Sequence, residues 1–138
     1  MKDRVIEVVA AVIVRDGKIL IGQRPRGEWG ALEWEFPGGK LEPGEDSPAA
    51  LKRELKEELD IEAVIGDELE RYEHDYIGFA RVRLIFHVVT GFVGEARNLA
   101  FEQIEWAEPV RLPAYAFLAG DRRFVDALAR GDYSGRLH

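Results

Sequence analysis

Glu54, Glu57 and Glu58, with Arg53 directly before them, put three carboxylates within about one and a half turns of a helix. At roughly 100° per residue, Glu54 and Glu58 share a helix row with Glu57 beside them, and Leu51, Leu55 and Leu59 form the adjacent stripe. The carboxylates then face one way beside an apolar seam, while Lys52 and Lys56 project from another side. Like charges at these spacings cost roughly 0.2–0.5 kcal/mol per pair, so stability alone does not favour the arrangement. Clustered carboxylate oxygens are what a hard divalent cation such as Mg²⁺ requires, and a bound cation turns the repulsion into attraction. Helix pattern alone leaves a solvated acidic face open as the alternative. The preceding loop favours the metal: Gly38 and Gly39 permit close backbone approach, and the turn at Pro43-Gly44 delivers Glu45 to the helix start.

The segment Gly39 to Ile61, GKLEPGEDSPAALKRELKEELDI, resembles the Nudix box. That pattern is Gly, five residues, Glu, seven residues, then Arg-Glu-apolar-x-Glu-Glu-x-Gly-apolar; the matching positions are Gly39, Glu45, Arg53, Glu54, Leu55, Glu57, Glu58 and Ile61. The one departure is Asp60 where the box has its last glycine, a position after the helix that favours left-handed backbone. The flanks Gln23-Arg24-Pro25 and Trp34 to Lys40 look like the MutT-type branch of the family, which cleans up nucleoside triphosphates.

The resemblance implies Mg²⁺-dependent hydrolysis of a nucleoside diphosphate linked to another group, by attack of water on phosphorus, with Mn²⁺ as a substitute. Carried onto this chain, Glu57 and Glu58 are the main metal ligands, Glu54 a ligand or general base, and the Gly38 carbonyl a further ligand, with Arg53 orienting the carboxylates. Phosphoryl transfer is mainly positioning and charge neutralisation, which agrees with this division of roles. Arg24 and Lys40 match phosphate-contacting positions of the branch. Many family members carry another metal-binding glutamate six residues before the tryptophan matching Trp106; here Ala100 stands there, with Glu102 or Glu95 as substitutes from the same loop. Phe36, Tyr76 and Phe79 could stack on a base, although strand aromatics are more often core. In related enzymes an Asn or Asp just before the last helix reads the base edge; Asp121 falls there, and it equally fits a helix N-cap. A carboxylate accepts hydrogen bonds from the exocyclic amino groups of guanine and cytosine derivatives. His74 and His87 fall in no ligand pattern.

The elements that must position these groups are readable in outline. Val5 to Val14 and Lys18 to Gln23 form a hairpin about Asp16-Gly17, with one strand buried on both faces. A polar loop from Gln23 to Gly30 leads to an extended stretch, Leu32 to Phe36, and a long loop lies between the breaks Pro37-Gly38-Gly39 and Glu42-Pro43-Gly44. Ser47 caps and Pro48 starts the acidic helix, which runs through Ala49 to Leu59. Ile61 to Ile65, Leu69 to Tyr76, Ala80 to Val89 and Ile104 to Ala107 are extended, Asp121 to Ala129 is helical, and Gly131 to His138 is loose. The expected fold is α+β, a Nudix-type sandwich with a mixed, mainly antiparallel sheet between helices.

Composition bounds the partners. A chain of 138 residues with 46% hydrophobic and 33% charged residues is expected to form one domain over 1–138. With no cysteine there is no disulfide and no thiolate metal site. A net charge of −7 argues against nucleic-acid polymers and anionic membranes and leaves a small phosphorylated ligand bridged by metal, which the resemblance makes a nucleotide. The longest apolar run, Val8 to Val14, is far short of the ~20 residues of a membrane span. Met1 to Arg4 ahead of Glu7 lacks a signal-peptide core, so a cytoplasmic monomer or homodimer is expected. The resemblance to the MutT-type branch implies cleavage of a nucleoside triphosphate, oxidised purines such as 8-oxo-dGTP first, to the monophosphate and pyrophosphate; the alternatives are a CTP- or dCTP-preferring enzyme, a nucleotide-sugar or dinucleoside-polyphosphate hydrolase, and a nucleotide-binding module without catalysis.

Overall fold

The computed structural model describes residues 4–138, so the reading of the N-terminus falls largely outside the described residues. The chain opens with β1 (Val5–Arg15) and β2 (Lys18–Gln23), joined by a turn in which Asp16 and Gly17 take positive φ, 54° and 75°. Such a turn twists with the flanking strands, as the Asp-Gly dipeptide predicts. In β1, Val9, Ala11 and Ile13 point to one face and Ala10 and Val12 to the other, and all are buried. Burial on both faces is why this strand reads as an unbroken apolar run.

The extended stretch expected from Leu32 to Phe36 shortens to β3 (Trp34–Glu35). Leu32 takes a left-handed φ of 65°, and its N–H donates to the Arg24 carbonyl, closing the loop on itself. The segment expected as one long loop contains a further strand, β4 (Gly38–Lys40), antiparallel to Val8–Ala10 of β1. Gly38 makes this pairing possible, because a Cβ there would overlap the Val9 carbonyl.

Helix α1 (Ser47–Leu59) is capped by Asp46 rather than by Ser47: the Ala49 N–H donates to Asp46 Oδ1 at 2.9 Å. Ser47 Oγ is engaged elsewhere, 2.9 Å from His87 Nε2, so the cap falls to the preceding residue. The helix buries Ala50, Leu51, Leu55 and Leu59, which is the predicted apolar stripe.

Strands β5 (Glu62–Val64), β6 (Glu68–Tyr76), β7 (Ala80–Val89), β8 (Gly91–Val93) and β9 (Gln103–Ala107) complete the β-structure. The main sheet has the order β3-β2-β1-β7-β6, with β4 also on β1 and β9 on β2. Among the described strand pairs of this sheet, β1 and β7 run parallel and the others antiparallel. Strand β8, too short to announce itself in the sequence, pairs with β5 as a separate ribbon. Helix α2 (Arg122–Arg130) packs Phe124, Val125 and Leu128 on the sheet face opposite α1, against Phe36, Phe86 and Phe117. The fold is therefore the expected α+β sandwich, a mixed and mainly antiparallel sheet between helices. Residues after Gly131, expected to be loose, are tied down: Tyr133 packs on Phe124 and donates to Glu70, and Arg136 donates to the Glu68 carbonyl.

Candidate active site

Arg53 organises the acidic helix. Its Nε and Nη2 grip Glu45 at 2.7 and 2.9 Å, Nη2 also reaches the Lys40 carbonyl at 3.2 Å, and Nη1 donates to Glu54 at 3.2 Å. Glu57 lies 3.5 Å from the same guanidinium. One side chain thus ties the end of β4, the turn before α1 and the carboxylates of α1 into a single unit. A two-point arginine–carboxylate grip fixes orientation as well as distance. These hydrogen bonds hold the Glu45 carboxyl down at about 2, so it stays ionised and keeps Arg53 in place.

Deeper in the site the carboxyls are less well compensated. The Gly38 N–H donates to Glu58 Oε1 at 3.1 Å. Burial pushes the Glu58 carboxyl up to about 9, and the carboxylates of Glu35 and Glu54 add to the rise. Glu54 is also raised by burial, with Arg53 opposing. A Cβ on Gly39 would overlap the Glu54 carboxylate, so the glycine makes room for acid against backbone. Among the described residues no three His, Asp or Glu side chains stand in a ready-made metal cage; Glu58 is turned onto the Gly38 amide and Glu54 onto Arg53. The donor set still fits a hard divalent cation: the available groups are carboxylate oxygens, and half-buried acids that disfavour each other's ionisation gain most from a positive charge among them. Glu57, with 60% of its side chain exposed, completes the acidic face from the solvent side.

Arg24, predicted as a phosphate contact, is half-buried and committed. Its Nη1 lies 3.2 Å from each Glu35 oxygen, and Nε donates to the Trp29 carbonyl at 2.7 Å. Burial raises Glu35 in spite of Arg24. Sequence reasoning gave Glu35 no role; Trp34 and Phe36 on either side of it are buried in one core cluster, and strand alternation directs Glu35 to the opposite face, where it meets Arg24. The Phe36 ring is 3% exposed within the aromatic cluster of Phe86, Phe117 and Phe124, so it faces the core rather than an open surface. Its backbone instead meets Asp121, whose carboxyl accepts the Phe36 N–H. Asp121 is 5% exposed and stands at the N-cap position of α2 without making a side-chain cap. Burial pushes its carboxyl well above the usual range, with Glu35 adding to the rise.

An open cleft of about 1000 Å³ lies between the Lys40–Glu45 segment and the β6–β7 turn, with Val5, Ile6 and Glu7 of β1 also lining it. Lys40, Glu45, Tyr76 and Phe79 border it. Trp29 stacks on Phe79 at 5.1 Å and sets its edge against Tyr76 at 4.9 Å, linking the Arg24–Glu33 loop to that turn. Asp60, at the box glycine's position, adopts left-handed backbone with φ 57°, donates its N–H to the Lys56 carbonyl, and pairs with Lys56 and Arg97. The loop that carries Ala100 docks on the end of α1, where the Leu99 N–H donates to the Glu58 carbonyl at 3.0 Å. In that loop Ala100 is exposed, Glu102 sits 3.7 Å from Arg26, and Glu95 is exposed. His87 spans Ser47 and the Gly66 carbonyl, and His74 lies edge-on to Tyr76.

A family model described as NUDIX domain matches residues 5–128. The CTP pyrophosphohydrolase of Escherichia coli K12 is 39% identical over 124 residues, covering 90% of this chain and 91% of that protein. The 8-oxo-dGTP diphosphatase of Haemophilus influenzae is 33% identical over 129 residues, covering 93% and 94%. Among solved structures, the E. coli ORF135 protein superposes with a TM-score of 0.85 at 35% identity, covering 99% of this chain and 96% of that one. The MutT NUDIX hydrolase of Burkholderia pseudomallei gives 0.80 at 28% identity, covering 90% and 98%. With the acidic helix, its arginine clamp and the surrounding sheet all accounted for, the chain belongs to the NUDIX domain family and is a MutT-like Nudix hydrolase.

Proposed function

We propose that this hydrolase cleaves nucleoside triphosphates to the monophosphate and pyrophosphate in a Mg²⁺-dependent reaction that Mn²⁺ also supports. The observation that carries the reading is that the single side chain of Arg53 holds Glu45, Glu54 and Glu57 together, with Glu45 lining an open cleft. Glu57 and Glu58 would be the main ligands of the cation, joined by Glu54 and the Gly38 carbonyl. When bound, the cation supplies charge neutralisation for phosphate oxygens and makes water more acidic. Glu54, half-buried and raised by its surroundings, suits the role of a base that takes a proton from the attacking water. Arg53 keeps these carboxylates aligned. Lys40, exposed beside the cleft, would contact phosphate, and Arg24 would join it while anchored on Glu35.

The Asp121 carboxyl would read the base edge. As an acceptor it recognises an exocyclic amino group, and in its protonated form it can also donate. Oxidised purine nucleotides such as 8-oxo-dGTP satisfy this, in keeping with the H. influenzae relative. A preference for CTP or dCTP is the second reading, favoured by the same carboxyl and by the 39% identity to the E. coli CTP pyrophosphohydrolase. Phe36 would act on base recognition only through its N–H to Asp121, its ring being packed in the core. The partner is a small nucleotide, and the enzyme would act in the cytoplasm as a monomer or homodimer; among the described residues no helix is long and apolar enough to cross a membrane. The test is incubation with Mg²⁺ or Mn²⁺ and a panel of canonical and oxidised triphosphates, nucleotide sugars and dinucleoside polyphosphates, with products separated by chromatography. Monophosphate and pyrophosphate from 8-oxo-dGTP or CTP bear the proposal out. Cleavage confined to nucleotide sugars or dinucleoside polyphosphates, or no cleavage, overturns it.

A further inference from the structure

Two tyrosines of β6 converge on Gly120, the residue immediately before Asp121. Tyr72 Oη donates to the Gly120 carbonyl at 2.6 Å, and the Gly120 N–H donates to Tyr76 Oη at 2.8 Å. Four residues apart on a strand, the two side chains rise from the same face and hold both polar groups of one residue. The approach is close: a Cβ on Gly120 would come within 2.5 Å of the Tyr76 hydroxyl and 3.2 Å of Leu84 Cδ1.

Little else fixes Asp121 from its own side. It makes no side-chain cap on α2, its N–H closes the tight turn onto the Leu118 carbonyl, and its carboxyl is reached by the Phe36 N–H. Where that carboxyl ends up therefore follows from where Gly120 is held. Tyr76 also lines the cleft, and its ring meets the edge of Trp29, so one side chain touches both the ligand space and the backbone that carries Asp121. Tyr72 is steadied by Phe86 and by Arg123 over its ring.

We propose that Tyr72 and Tyr76 are positioning residues for nucleobase recognition: by clamping Gly120 they set the reach of the Asp121 carboxyl and hence the discrimination between bases. This rests on the reading of Asp121 as the group that contacts the base edge. Hydrogen-bond strength falls steeply with distance and angle, so a small shift of the turn costs recognition while leaving the acidic helix untouched.

The experiment compares Tyr76→Phe, Tyr72→Phe, Asp121→Ala and the double variant Tyr76→Phe/Asp121→Ala. Phenylalanine keeps the rings and their packing and removes only the hydroxyl. The readout is the ratio of kcat/KM for an amino-bearing nucleotide to that for its deaminated analogue, CTP against UTP and GTP against ITP, with melting temperature recorded for every protein. Asp121→Ala is expected to lower the ratio about tenfold or more, and Tyr76→Phe by about fivefold, the loss of one well-formed hydrogen bond, mainly through KM of the amino-bearing partner. The double variant should be no less discriminating than Asp121→Ala alone. An unchanged ratio in both tyrosine variants while Asp121→Ala lowers it, or losses that multiply in the double variant, overturns the clamp and leaves the base contact standing. An unchanged ratio in Asp121→Ala overturns the base contact, and the clamp with it.

Discussion

Replacing Glu58 by Gln should make the metal-free protein more stable while abolishing its activity. In the fold this carboxyl is raised from 4.5 to about 9, chiefly by burial and then by Glu35 and Glu54. A raised acid keeps its proton in the folded state and loses it in the unfolded one, so wild-type stability falls as pH rises from 4.5 towards about 9. At pH 7, about 2.5 pH units above the ordinary value, the penalty is roughly 3 kcal/mol at about 1.4 kcal/mol per unit. Glutamine has no proton to lose, and its amide oxygen can still accept the Gly38 N–H. In EDTA, Glu58→Gln should therefore melt higher than wild type at pH 7–8, by on the order of 10 °C, and the difference should vanish near pH 4. Circular dichroism melts from pH 4 to 9 measure this. Added Mg²⁺ should raise the wild-type melting temperature and leave the variant nearly unmoved, because only the carboxylate favours the cation. A variant that is destabilised equally at every pH would refute the argument, since it would show Glu58 to be a packing residue.

Other substitutions separate the remaining contributions. Asp121→Asn keeps an oxygen for the Phe36 N–H and removes a carboxyl raised well above 3.8, so its stability gain over wild type should be absent below that pH and grow above it; urea midpoints at pH 3.5, 5 and 8 check the sign. Arg53→Ala releases Glu45, whose carboxyl should titrate above about 2 in a ¹³C NMR experiment while the Glu42 N–H still holds it below the ordinary value, and kcat/KM should fall by about 100-fold as the carboxylates lose alignment. Asp60→Gly should leave the melting temperature nearly unchanged, because relief of left-handed strain offsets the exposed pairs with Lys56 and Arg97, and turnover should stay near normal.

The acidic stripe, its apolar neighbour and the hairpin about Asp16-Gly17 were legible because periodicity and turn chemistry act within a few residues. The helix cap and strand β4 were not. Asp46 caps because His87, distant in sequence, engages Ser47, and β4 exists because Gly38 and Gly39 let the chain lie on β1 where their residue types alone read as a break. The same limit applies to the site. Local spacing marked Arg53, Glu54, Glu57 and Glu58, whereas the burial of Asp121, the inward ring of Phe36 and the pairing of Arg24 with Glu35 depend on contacts across the sheet. Glu35 escaped notice because a single acid in a two-residue strand carries no periodic signal.

We place the catalytic centre on the acidic face of α1. The most direct test is the turnover of Glu57→Gln and Glu54→Gln proteins on the preferred triphosphate with saturating Mg²⁺, each first shown by circular dichroism to be folded. Turnover should fall at least about 100-fold in both, as expected when a cation ligand or the base that activates water is removed. Near-normal turnover in either folded variant would contradict this placement and move the chemistry off the helix.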